Sequence, residues 1–140
     1  MNSSRNSDAI FAGMLTFLYV TDLHGWAGGY EAVARAALDR GVALIVNGGD
    51  LLPKGGRNDL DAQRRFLEEF LPAHLELLAS GGVRWCGMFG NDDLACLLPV
   101  WHSLLAAHAN AQDLSDGWRD IGEGVILRGC PYVPDVPFGL

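Results

Sequence analysis

Leu15-Thr-Phe-Leu-Tyr-Val20-Thr-Asp22-Leu-His24-Gly25 is the stretch that decides the fold. Six mostly apolar, β-favouring residues run without a break into a turn that carries a carboxylate and an imidazole. Near-continuous apolar character over so short a run fits a strand covered on both faces, as in a parallel sheet. The pattern then recurs. Residues 42–46 (VALIV) lead into Gly48-Gly49-Asp50, and residues 83–89 (VRWCGMF) lead into Gly90-Asn91-Asp92-Asp93. Helical patterns separate these runs. Over 29–40, Ala32, Val33, Ala36 and Ala37 share a face and Gly41 closes the helix. Over 59–80, Phe66, Leu67, Phe70, Leu71, Leu75 and Leu78 recur at helical spacing, and Pro72 predicts a kink. A third helical stretch, over 93–109, contains Pro99, which predicts a break or a new first turn. Two short strands are expected over 118–121 and 125–130. Strands alternating with helices predict an α/β fold, a layered, mostly parallel sheet with flanking helices.

The bulk properties set outer bounds. A chain of 140 residues suits one domain, and 49 % apolar against 19 % charged residues is a globular composition. The formal net charge of -7 argues against a long nucleic acid as partner, because an acidic protein releases no counterions from a polyanion. Residues 1–13 are polar and then irregular, so a disordered N-terminal segment is expected there, with the domain over 14–140. The apolar run over 10–20 superficially imitates a signal peptide. No small-x-small cleavage site follows it, and no apolar stretch reaches the length that crosses a bilayer. A cytoplasmic protein without membrane attachment is the expectation. Cys86, Cys96 and Cys130 are odd in number and form no CxxC pair, so buried free thiols in a reducing compartment are expected.

The polar clusters carry the chemistry. In an open parallel sheet, ligands bind outside the carboxyl ends of the strands. Three such ends would set Asp22, His24, Asp50 and Asn91 along one rim. Carboxylate, imidazole and amide oxygen together suit hard or borderline divalent cations such as Mn, Fe or Zn. Singly, each residue has a plainer role: a capped turn for Asp22 with His24, a loop cap for Asp50, a left-handed turn for Asn91. Asp93 reads as a helix N-cap, and Asp92 as either a cap or a site residue. His74, His102 and His108 fall on helices, away from the strand ends. Lys54 and Arg57 follow Asp50 and suit either solvent or a phosphate. Trp85, Trp101 and Trp118 read as packing, and Trp26 as a residue of the crevice mouth.

Taken together and in order, these motifs resemble the calcineurin-like metallophosphoesterase family. Its Asp-x-His matches Asp22 and His24, its Gly-Asp matches Gly49 and Asp50, and its Gly-Asn-His/Asp matches Gly90, Asn91 and Asp92. The resemblance spans about residues 15–130 and implies the first half of an α/β/β/α sandwich. It implies two divalent cations, about 3.5–4 Å apart, that drive hydrolysis of a small phosphomonoester or phosphodiester. Asp22 and His24 would hold one, Asp50 would bridge, and Asn91 would hold the second. Two departures stand out. Asp92 stands where the family often has a histidine, and an ordinary carboxylate is a poor proton donor at neutral pH, so substrates with good leaving groups are expected. The family's later histidine and Gly-His-x-His have no counterpart here. The alternatives are therefore an inactive partial domain that binds at most one metal, or a site completed by a second copy or another chain. A non-catalytic receiver-type module holding Mg fits less well, because His24 and Asn91 depart from the water-rich oxygen shell that Mg prefers.

Overall fold

Leu18–Val20 (β1), Leu44–Asn47 (β2), Arg84–Gly87 (β3) and Ala111–Asp113 (β4) pair in parallel, in the order β1-β2-β3-β4. They belong to a computed structural model that describes residues 15–131. The expected disordered segment 1–13 lies outside those residues, as does the Pro-rich tail 132–140. Helices connect the strands: Ala27–Arg40 (α1), Asp59–Arg65 (α2), Leu71–Ser80 (α3) and Leu98–Ala107 (α4). An antiparallel hairpin, Arg119–Gly122 (β5) with Val125–Leu127 (β6), follows the sheet. The α/β class and the mostly parallel sheet are as the sequence predicts.

Side chains alternate across a strand, and here the alternation sorts the core into two layers. Ile45, Trp85 and Ala111 face the helices and pack with Tyr30, Ala34, Leu67, Leu71, Leu75, Leu78 and Trp101. Leu44, Val46 and Cys86 point the other way and meet Leu114 and Ile121, with Leu127 at their margin. A strand order that never reverses needs no helix on that second side.

Several expectations change. β1 begins at Leu18 rather than Leu15, and it is not covered on both faces: Phe17 is 41 % and Tyr19 64 % exposed. It is the sheet's edge, and the hairpin's small cover reaches the inner strands instead. Trp118 is also exposed rather than packed, as are Cys96 and Cys130, leaving Cys86 the buried thiol of the three. The helix over 59–80 widens into a π turn at Phe66–Phe70, where the Leu71 N–H reaches back to the Phe66 carbonyl. Pro72, in the first turn of α3, has no N–H to donate and its ring would crowd a preceding carbonyl, so the extra residue in the turn relieves the clash. Pro99 opens α4 after a short 3-10 turn at Ala95–Leu97, as anticipated. β4 carries an exposed Gln112 between two buried residues, too short and too polar a run to announce a strand. Among the described residues no helix is long and apolar enough to cross a membrane.

Candidate metal centre

The β1–β2 pairing continues past the strands themselves. Gly48 N–H donates to Val20 O (2.8 Å), Asp22 N–H to Gly49 O (3.0 Å), His24 N–H to Asp50 O (2.9 Å) and Gly25 N–H to Leu51 O (2.8 Å). The loop after β1 is thereby zipped to the loop after β2. One ligand atom from each of Asp22, His24 and Asp50 lies within 4.8 Å of the others. Among the described residues, the non-glycine positions with positive φ are Asp22 (58°), His24 (45°), Asp50 (51°) and Glu123 (53°). Asp and His enter this left-handed region more readily than most residues, yet each such position still costs on the order of 1 kcal/mol or more. Three of the four are the converging side chains. The strain is concentrated where a cation would sit.

The donor set fits such an ion. Two carboxylates and an imidazole suit borderline divalent metals, and imidazole is the commonest metal ligand among side chains. His24 Nδ1 is buried without a hydrogen-bond partner, as is Asn47 Nδ2. His24 Nε2 lies 4.0 Å from Asp22 Oδ1.

A third loop closes on the same place. Asp92 N–H donates to Asp50 Oδ1 at 3.0 Å. The approach is so close that a Cβ on Gly90 would stand 2.2 Å from Asp50 Oδ1 and 2.4 Å from its backbone nitrogen, which only glycine avoids. Asn91 sits exposed on this loop between Gly90 and Asp92. The Asp92 carboxylate accepts a hydrogen bond from the Lys54 ammonium. That bond, with the added charges of Asp92, Asp50 and Asp22, holds the Lys54 pKa above its ordinary value. Arg57 is exposed on the same loop as Lys54.

Asp93 is not a helix N-cap. Its carboxylate is buried and turned inward onto backbone N–H groups of its own loop and of the loop after β2. Burial raises its pKa, opposed by the N–H groups of Gly90, Leu51 and Leu52. Two further supports, Tyr30 and Asn47, lie outside the motifs that the sequence singles out. Tyr30 donates to Leu51 O at 3.0 Å, and burial first, then the charge of Asp93, pushes its phenol well above the usual range. Asn47, fully buried at the end of β2, accepts the Gly49 N–H at 3.2 Å. The other histidines lie outside the cluster. His74 is buried, His108 Nδ1 pairs with Leu104 O, and His102, expected away from strand ends, lies 3.4 Å from Asp113 at the end of β4. Trp26 is 68 % exposed beside the first turn of α1. A cavity of about 570 Å³ between α3 and α4, lined by Leu67, Pro72, Val100 and Leu104, shares no residue with the cluster.

Fold and cluster together define a layered α/β domain with potential cation ligands at the carboxyl ends of adjacent parallel strands. TT1561 of Thermus thermophilus is similar in structure, with TM-score 0.55 and 16 % identity over 81 % of this chain and 55 % of that one. A second solved crystal structure is similar with TM-score 0.53 and 14 % identity, over 74 % of this chain and 48 % of that one. The chain thus spans about half the length of these structures, and at such identities the likeness concerns the fold. No family model matches the sequence, and no curated protein is significantly similar to it.

Proposed function

We propose that this chain is the metal-holding part of a calcineurin-like metallophosphoesterase acting on a small phosphomonoester or phosphodiester. The observation that carries the reading is the convergence of Asp22, His24 and Asp50 within 4.8 Å, each in left-handed backbone. Cations bound there, Mn, Fe or Zn by the donor set, would supply Lewis-acid stabilisation of the phosphoryl oxygens and acidify water. Asp22 and His24 would hold one cation, Asp50 would serve both, and Asn91 would hold the second. Asp92, where the family often has a histidine, anchors the Lys54 ammonium at the rim. Positive charge is thus available to a phosphate oxygen, while no imidazole stands ready to protonate the leaving group. Substrates with good leaving groups follow from that arrangement. The reading keeps the protein in the cytoplasm, where the exposed thiols of Cys96 and Cys130 stay reduced.

A second reading, a partial domain that holds one cation without turnover, is favoured by the size of the cluster. Among the described residues it has three carboxylate or imidazole members. Calorimetric titration with Mn separates the outcomes. Residues 1–140 are expected to bind Mn weakly, to lose binding on Asp50→Ala, and to show negligible hydrolysis of bis-p-nitrophenyl phosphate by themselves. A form that adds further histidine ligands is expected to hydrolyse that ester, and to stop on Asp50→Asn. Mn binding indifferent to Asp50→Ala sinks both readings; an inactive histidine-bearing form sinks the first.

A further inference from the structure

Beneath the candidate ligands lies a buried polar layer built on Asp93 and Gln63. Asp93 Oδ1 accepts from Leu52 N–H at 2.8 Å, and Oδ2 from Leu51 N–H at 3.0 Å and Gly90 N–H at 2.8 Å. Gln63, on α2 and 1 % exposed, completes the layer. Its amide Nε2 donates to Pro53 O at 3.0 Å and to Asp92 O at 2.9 Å, and its Oε1 accepts from Leu94 N–H at 2.9 Å. Both amide hydrogens and the carbonyl of Gln63 are used. Every one of these bonds ends on residues 51–53 or 90–94, the segments that directly follow Asp50 or surround Asn91.

We propose that Gln63 and Asp93 are positioning residues, a buried clamp that fixes the loop carrying Asp50 against the loop carrying Asn91 and so sets the separation of the two cation positions. The inference rests on the proposed metal centre and says how that centre acquires its geometry. The alternative, polar residues that merely satisfy a core, does not explain why both side chains span the same two loops. Loops of this kind expose backbone groups that, once buried, must find partners. Helix and sheet cannot supply them here, since both segments are irregular. A carboxylate with four lone-pair sites and an amide with two donors match the unmet N–H and C=O groups. Groups that orient ligands without touching the metal typically change its affinity 10–100-fold when lost.

The test uses the full chain and Co²⁺, whose visible spectrum reports ligand geometry. Gln63→Leu and Asp93→Asn are each expected to weaken Co²⁺ binding by about tenfold or more and to alter the absorption envelope. In the metal-free chain, amide exchange at Leu51, Leu52 and Leu94 should quicken. Asn110→Ala is the control. It removes bonds to Leu75 O (3.0 Å) and Val83 O (3.2 Å) at the opposite end of the sheet. It should lower the melting temperature yet leave the Co²⁺ spectrum and affinity unchanged. Should Gln63→Leu fail to fold, Gln63→Glu keeps the Leu94 acceptor, loses both donated bonds and carries the same expectation. If clamp variants bind Co²⁺ with wild-type affinity and spectrum, the clamp is refuted while the metal centre stands. If wild-type chain takes up no Co²⁺, or binds it equally well as Asp50→Ala, the metal centre fails and the clamp with it.

Discussion

Asp22 occupies a backbone conformation that its own Cβ disfavours. Its side chain is 60 % exposed and its φ is 58°, so it contributes little packing to offset a left-handed conformation. Glycine adopts that conformation without a Cβ penalty. Asp22→Gly is therefore expected to keep or raise the melting temperature of the metal-free chain, by up to about 1 kcal/mol of stability. The stabilisation that Mn gives the wild type should vanish in the same variant. Thermal melts with and without Mn check both halves; a metal-free melt several degrees lower would show that Asp22 serves the fold instead. Asp22, His24 and Asp50 were legible in the sequence because each follows an apolar strand, so polarity appears where the burial pattern stops. Gln63, Asn47 and Asp93 were not. A polar side chain inside a helical or strand pattern gives no sign of whether it faces solvent or a buried carbonyl.

The long connection between β2 and β3 illustrates the same limit for elements. Its apolar spacing gave the helix and Pro72 gave the interruption, but the form of the break depends on what the turn must pack against. The π turn brings Phe66 and Phe70 beside Tyr30, with ring centroids 5.3 and 5.5 Å away. His74 joins the same aromatic group from α3, 5.1 Å from the Tyr30 ring. Burial lowers its pKa from 6.5 to about 4. Since the folded value is the lower one, His74 favours the fold fully above the unfolded value near 6.5, and this contribution is lost as pH falls from there toward 4. The cost is on the order of 3 kcal/mol at the acid end, from the drop of about 2.5 units at 1.36 kcal/mol each. His74→Phe is expected to flatten this part of the pH dependence. Denaturant midpoints of wild type and variant between pH 7 and pH 4 measure the difference; parallel curves would exclude His74 as the source.

At the scale of the whole sheet, among the described residues, the helices cover one side and a two-stranded hairpin covers part of the other. Tyr19 at 64 % exposure lies on the sheet edge, and Ile126 at 59 % with Val125 lies on an uncharged hairpin strand. Exposed apolar surface and unpaired strand edges favour association. Sedimentation velocity is expected to show mass rising with concentration for the wild type, and a monomer for the double variant Tyr19→Lys/Ile126→Lys. A wild type that stays monomeric throughout would remove the expectation. This openness was the least legible feature of the fold, since the apolar run over 15–20 reads like an enclosed strand.

The strand order β1-β2-β3-β4 also bears on how the protein is made. Each strand pairs with the one synthesised before it, so assembly can follow the chain as it leaves the ribosome, first residues first. Asp22, His24 and Asp50 emerge within the first βαβ unit, but Leu51 and Leu52 keep two unmet N–H groups until Asp93 arrives behind β3. These three side chains are thus the earliest part of the cluster to be born and among the last to become rigid. A nascent chain halted before Asp93 holds all three converging side chains without the brace that fixes them.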